Sequence, residues 1–428
     1  MKSEPKNELS WNEIFSDLDI LNEILQKGNY VITSKHINKY RESRLMTKFD
    51  HEVNLPTIFK KNNLSILPVS RGSYVIAKFE AYQKVNYSKM EPIPMPKRAD
   101  LESLDYNNIY SEASAINCAF LSGILFDLIG EDCELTVSGR MSSKSFDFNI
   151  KTKTVERFRK MEIKNSQCEI DAGFESKSKL IILEAKNEKC KDFLIRQIYY
   201  PYRLWKSKIK KQVIPVFMTF SNDVYTFFIY KFTDDSNYNS LKLIKQKSYT
   251  IESEPINIED IKRILKTLTI EPEPEVPFPQ ADKFERVVDL LGLLMDKNLS
   301  KDDITSKYNF DERQTSYYTT AARYLGLIKK YKDKKNVLHF SLNESVRKKL
   351  LLPKKNKDLE FVKSILIHKP FNLTLKKYLE NSQPPKIQDI VNVMKDSNLY
   401  QVDSDVTYRR RAQTVLKWTE WIIGLFDN

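Results

Sequence analysis

Residues 168–187 read CEIDAGFESKSKLIILEAKN. Leu180 to Leu183 form an aliphatic run of strand formers, and the Ser176-Lys177-Ser178 segment separates it from an earlier short strand, so the whole reads as a β-hairpin. The run is closed by two charges, Glu184 and Lys186. A turn centred near Lys177 sets Asp171 opposite Glu184, and the two-residue period of a strand puts Glu184 and Lys186 on one face. Three charges then meet at the end of an otherwise apolar strand.

Two carboxylates held this close repel each other unless a cation joins them. Hard oxygen ligands suit Mg²⁺, which keeps several waters and accepts a phosphate oxygen. Lys186 beside them is placed to orient and help deprotonate an attacking water, while the metal offsets charge developing on a scissile phosphate. Glu-x-Lys pairs also occur on plain solvated strand edges. The acid across the turn and the buried base of this strand separate the present pair from that simpler case.

Composition sets the context. A chain of 428 residues is long enough for several cores, and 70 basic against 57 acidic residues leave a net charge of +13, which favours polyanionic partners. The four cysteines form no CxxC pair and the four histidines have no zinc-ligand spacing, which argues against a zinc finger and against a nuclease built on clustered histidines. With 9 glycines and neither GxxxxGK[ST] nor GxGxxG, the sequence argues against phosphate-binding glycine loops, and ATP hydrolysis by a P-loop is not expected. The N-terminal MKSEPKNELSWNE has no apolar signal core, and the apolar segments 120–129 and 287–295 are short. A soluble, cytoplasmic protein without membrane contact is expected.

The segment IEPEPEVPFPQ, residues 270–280, alternates prolines with acids and reads as a linker. Before it, helical periodicity in 110–129, the hairpin, a helix over 191–208 kinked at Pro201, and the strands VIPVFMTF and VYTFFIYKF predict a mixed sheet with helices on its faces. After it, helices at 284–297, 301–307 and 311–325 precede two strands around a basic turn, the order of a winged helix; 359–367, 387–395 and 404–416 repeat the helical theme. The expected organisation is a DNA-contacting region over 1–100, a catalytic domain over 101–269, the linker, a winged helix over 281–345 and a second helical, winged-helix-like domain over 346–428.

Asp171 followed by Glu184-Ala185-Lys186 resembles the D…(D/E)-x-K motif of the PD-(D/E)XK nuclease superfamily. The resemblance implies a restriction-endonuclease-like α/β fold, a mixed sheet flanked by helices, and a metal-dependent phosphodiesterase with Asp171 and Glu184 as Mg²⁺ ligands and Lys186 as the water-activating group. Ile170 stands where the nominal motif has proline. Glu112, in YSEASAINCAFLSGIL, matches the glutamate that many members carry on a preceding helix and is a candidate third ligand. Glu169 competes with Asp171 and ranks below it. The helix DFLIRQIYYPYRLW resembles the Gln/Tyr-bearing helix of some members: Gln197 is a candidate for positioning a phosphate or the lysine, whereas Tyr199, Tyr200, Tyr202 and Trp205 read as packing residues.

A nuclease core needs further elements to read sequence. The third helix of the first winged helix offers Arg313, Gln314, Ser316, Tyr317 and Arg323, and Arg and Gln pair bidentately with base edges in the major groove. Its wing, KKYKDKKN, adds Lys329, Lys330, Lys332, Lys334 and Lys335 for phosphate contact. TYRRR, residues 407–411, opens a later helix with Arg409 and Arg410 as candidate DNA contacts, while Trp418 and Trp421 read as core. A Ser/Gly loop around Arg140 is a further candidate, as are Arg41, Arg44, Lys48 and Arg71. The expected function is that of a type II restriction endonuclease, acting on double-stranded DNA as a homodimer and paired with a DNA methyltransferase. The alternatives are a non-catalytic DNA-binding transcriptional regulator and a structure-specific repair or transposon-associated endonuclease.

Overall fold

In the computed structural model the hairpin takes the expected register: Gln167–Ser176 and Lys179–Lys186 pair antiparallel with Leu183 opposite Ala172, so Asp171 and Glu184 are the next facing positions. The structure describes residues 6–98, 100–154, 158–251, 255–307 and 310–426. Glu131 fastens the turn. Its carboxylate accepts Ser176 Oγ at 2.7 Å, Ser178 Oγ at 2.6 Å and Ser178 N at 3.1 Å, with Lys179 Nζ at 2.9 Å. These hydrogen bonds, Ser178 first, pull the Glu131 carboxyl down to about 2.

The hairpin sits inside a seven-stranded mixed sheet. The strand order is Ile93–Met95, Leu241–Ile251, Val224–Phe232, Gln212–Ser221, Lys179–Lys186, Gln167–Ser176, Cys133–Ser142. Lys179–Lys186 runs parallel to Gln212–Ser221, and the crossover between them carries helix Arg196–Lys206. A strand paired on both sides and covered on both faces must be apolar along its length, which is what LIIL provides. Leu180 and Ile182 pack with Ile198, Tyr199 and Tyr200 of that helix. The other face of the hairpin sets Phe174 against Phe120, with ring centroids 5.1 Å apart.

Two departures from expectation lie in this region. Residues 192–194 form a short strand, Asp192–Leu194, paired with Tyr82–Lys84, so the helix begins only at Arg196. Arg140 lies in the strand Cys133–Ser142 instead of a loop: Gly139, at φ 90°, and register shifts on either side of Val137 distort the strand without ending it.

The chain divides into two compact units, the first made of residues 1–95, 115–220 and 224–250, the second of 96–114, 221–223 and 251–428. Within the first, Trp11, Phe15 and Phe59 form an aromatic cluster under a three-stranded sheet of Tyr30–Thr33, Ser73–Ala77 and Ser65–Pro68.

In the second unit, helices Phe284–Asp296, Lys301–Lys307 and Glu312–Tyr324 combine with a three-stranded sheet of Leu299–Ser300, Leu338–Leu342 and Ile328–Lys332. Lys354–Leu366, Lys369–Asn381, Ile387–Lys395 and Asp405–Ile423 follow as four helices, and among the described residues this stretch pairs no strands of its own. Residues 270–280 are irregular, as their prolines require, yet they are packed: Phe278 is buried, stacked on Phe371 at 5.6 Å, and Glu271 N donates to Ile367 O at 2.9 Å. Among the described residues no helix is long and apolar enough to cross a membrane.

Candidate active site

Past Leu183 and Ala172 the two hairpin strands part. The Ala185 N–H donates at 2.8 Å to Asp171 Oδ2, a side-chain acceptor in place of a ladder carbonyl. Asp171 is thereby fixed at the mouth of the split, half-buried. Across from it Glu184 is only 6% exposed and Lys186 only 9%.

Lys186 Nζ and Gln197 Nε2 both reach the same atom, Glu184 Oε1, each at 2.5 Å. Two donors on one buried oxygen fix the orientation of the carboxylate. Gln197 gets there because Arg196–Lys206 packs over the strand through Ile198 and Tyr199, which turns the helix's first-turn glutamine toward the strand end. The aromatics of this helix are packing residues as expected: Tyr199 and Tyr200 are fully buried, their hydroxyls donating to Asp235 O and Pro68 O.

Sequence reading missed a second group of charges at this end of the sheet. Leu194 N donates to Asp50 O at 2.9 Å, Glu52 N to Asp192 Oδ1 at 3.0 Å, Tyr82 Oη to Phe49 O at 2.9 Å, and His51 Nδ1 meets Asp192 O at 2.6 Å. These bonds clamp residues 49–52 to the strand Asp192–Leu194. His51 is buried with Nε2 3.9 Å from Glu188 Oε1. Burial alone would lower its pKa, but the Asp192 hydrogen bond and the Glu188 charge outweigh it and raise it above 6.5. Burial would raise the Asp50 carboxyl, and the cations Lys186, Lys48, His51 and Arg196 hold it below the usual range instead. The only available sequence signal was the pair Asp50-His51 between two basic stretches, and nothing local ties it to residue 186.

Asp171, Glu184, Lys186 and Gln197 are thus brought together. Glu112 opens the helix Glu112–Leu121 and belongs to the second compact unit, so its role stays the expectation stated above. Glu169 is exposed and pairs with Arg140 Nε at 3.2 Å. Among the described residues no group of three or more His, Cys, Asp or Glu side chains is arranged to hold a metal ion. A site here would rest on Asp171 and Glu184 with water and substrate oxygens, an arrangement Mg²⁺ accepts and a metal requiring an all-protein cage does not.

Three family profiles match the chain, each described only as a domain of unknown function: DUF6996 over residues 8–76, DUF6997 over 77–250 and DUF7226 over 286–427. No curated protein and no solved structure matches it. Asp171, Glu184, Lys186 and Gln197 fall in the second matched span, Asp50 and His51 in the first.

The candidate DNA contacts lie on the second unit, apart from Arg140, Arg41, Arg44, Lys48 and Arg71, which lie on the first. Arg313 is exposed, and its Nε donates to Tyr317 Oη at 2.5 Å. Gln314 is committed to a capping box: Gln314 N donates to Asp311 Oδ1 at 2.7 Å and Asp311 N to Gln314 Oε1 at 3.2 Å. Arg323 is half-buried in the last turn of the same helix. Lys329, Lys330, Lys332, Lys334 and Lys335 are all exposed on the hairpin of Ile328–Lys332 and Leu338–Leu342. Arg409 and Arg410 are exposed, Arg409 donating to Gln388 Oε1 at 3.2 Å, while Trp418 is fully buried in the core.

Proposed function

We propose that the protein is a Mg²⁺-dependent deoxyribonuclease that hydrolyses phosphodiester bonds of double-stranded DNA site-specifically, in the manner of a type II restriction endonuclease. One observation carries this reading: Asp171 faces Glu184 at the mouth of a split hairpin, and Lys186 and Gln197 converge on Glu184 Oε1. That is the constellation the PD-(D/E)XK resemblance implies, on a mixed sheet with helices packed against it. The two-ligand set Asp171 and Glu184 fits Mg²⁺.

When bound, the ion would supply Lewis-acid stabilisation of charge on the scissile phosphate. The chain's own groups do the rest. Gln197 and Lys186 fix the Glu184 carboxylate. Lys186, an ammonium at the strand end, orients a water and stabilises the hydroxide formed as its proton passes to solvent. The water oxygen bonds to phosphorus, the P–O bond to the leaving sugar oxygen breaks, and that oxygen takes a proton from solvent.

The second unit supports a DNA substrate. Helix, short strand, two helices and a hairpin follow the order of a winged helix, with Arg313 and Tyr317 on the third helix and five exposed lysines on the hairpin. Cutting both strands calls for two such sites, hence a homodimer on DNA, and a cell carrying it needs a DNA methyltransferase to protect its own sites. Incubating the purified protein with long unmethylated duplex DNA and Mg²⁺ tests the proposal. Discrete, reproducible fragments support it; structure-dependent nicks favour a repair-type endonuclease; DNA left intact across metals and salt overturns it in favour of a non-catalytic regulator.

A further inference from the structure

Three buried polar atoms without hydrogen-bond partners lie on the segments that carry the candidate site: Asn187 Oδ1 just after Lys186, and Arg196 Nε and Gln197 Oε1 at the start of the crossover helix. A native fold seldom leaves buried polar atoms unmatched, and of these three Arg196 Nε is the donor, the one an incoming acceptor can complete. Arg196 is the charged member of this set. Its guanidinium carbon lies 5.8 Å from the centre of the Tyr200 ring, whose aromatic face limits its freedom.

The backbone explains how it is aimed. Leu194 N is bonded to Asp50 O and Ile195 N to Ala81 O, so the two residues before Arg196 are pinned to the segments around Asp50 and Ala81. Asp50 is close enough to Arg196 and Lys186 for their charges to hold its carboxyl low. A planar fork with a desolvated, unmatched N–H beside a phosphodiester site suits a phosphate oxygen, which accepts from guanidinium N–H groups at short distance.

We propose that Arg196 grips a backbone phosphate of the DNA strand being cut. This rests on the nuclease reading and adds to it a substrate contact that the D…(D/E)-x-K motif does not contain.

The test is duplex DNA binding by the full chain in EDTA at several salt concentrations, for the wild type, Arg196→Ala, Arg196→Gln and Arg196→Lys. Each phosphate contact contributes about 0.9 to the slope of log affinity against log salt. Arg196→Ala and Arg196→Gln are expected to make the slope shallower by about that amount, whereas Arg196→Lys keeps it. Should Arg196→Ala not fold, Arg196→Gln, which keeps a polar stem, carries the measurement. A wild-type slope in the neutral variants overturns the proposal.

With Mg²⁺ restored, the same proteins are assayed for cutting. A wild type that binds with the predicted slopes but never cuts removes the nuclease reading and leaves the Arg196 contact standing; one that binds no duplex removes both.

Discussion

Asp171 Oδ2 accepts the N–H of Ala185 at 2.8 Å, so the acid expected to bind a metal also closes the last ladder position of its own hairpin. The two roles separate on substitution. Asn at 171 can still present a carbonyl oxygen to that N–H, but it loses the charge. Asp171→Asn is therefore expected to unfold within about 1 kcal/mol of the wild type, because the Ala185 N–H exchanges a carboxylate acceptor for an amide oxygen and stays paired. DNA cleavage should fall by roughly 10³-fold, in the range for loss of a group acting in the chemical step. Urea unfolding beside a cleavage assay checks both, and a variant that still cuts at the wild-type rate would remove Asp171 from the site.

Glu184 and Lys186 are both nearly buried, which sets a different expectation for the lysine. Removing it leaves Gln197 donating to Glu184 Oε1 and takes the lysine's charge away from a buried carboxylate. Lys186→Ala should cost about 3 kcal/mol in stability, the usual size when one half of a buried ion pair is deleted. Lys186→Ala combined with Glu184→Gln should recover part of that loss while both variants remain unable to cut. Recovery of stability without recovery of activity distinguishes an electrostatic role from a packing role, and a double variant no more stable than the single would contradict the buried-pair account.

What sequence could and could not disclose follows from the range of the interactions involved. The hairpin register, the shared face of Glu184 and Lys186, the core role of Tyr199, Tyr200 and Trp418 and the irregular, proline-bearing 270–280 segment are local facts, fixed by strand period, helix spacing and proline geometry. Asp50 and His51 escaped because they are tied to the distant strand Asp192–Leu194, His51 meeting Asp192 across 141 positions and Asp50 O accepting from Leu194 N. Arg140 was assigned to a loop because glycine and serine suggest a turn, whereas a positive φ at Gly139 and local register shifts let a strand absorb them. Gln314 reads as a base-contacting residue by type, yet its position three after Asp311 makes it a capping partner, a signal the sequence did contain.

His51 gives a prediction in pH. Its folded pKa is raised above 6.5 because the bond to Asp192 and the charge of Glu188 overcome burial and the opposing Lys186 charge. A raised pKa means the folded state holds the proton more tightly than the unfolded chain. The resulting stability is fully present below about pH 6.5, the unfolded value, and is lost as pH rises through the higher folded value. Comparing urea midpoints of the wild type and His51→Gln from pH 5.5 to 9 should show the wild-type advantage shrinking toward alkaline pH. A constant difference across that range would mean His51 acts by shape alone.

Arg313 and Gln314 are neighbours with opposite expectations. Arg313 is exposed, with its Nε on Tyr317 Oη, so its guanidinium is braced on the outer face of Glu312–Tyr324 without being buried. Gln314 spends its Oε1 on Asp311 N at the helix start. Arg313→Ala should leave thermal stability unchanged and weaken duplex binding by about 1–3 kcal/mol if it contacts a base, with relaxed sequence preference, or reduce the salt slope by about one if it contacts a phosphate. Gln314→Ala should do the reverse, lowering stability by about 1 kcal/mol through loss of the capping box and leaving affinity close to wild type. Thermal melts and binding isotherms on the same two variants decide it. If Gln314→Ala lost affinity while Arg313→Ala did not, the helix would be presenting a different face to DNA, and the surface assigned to Arg313 and Tyr317 would have to be abandoned.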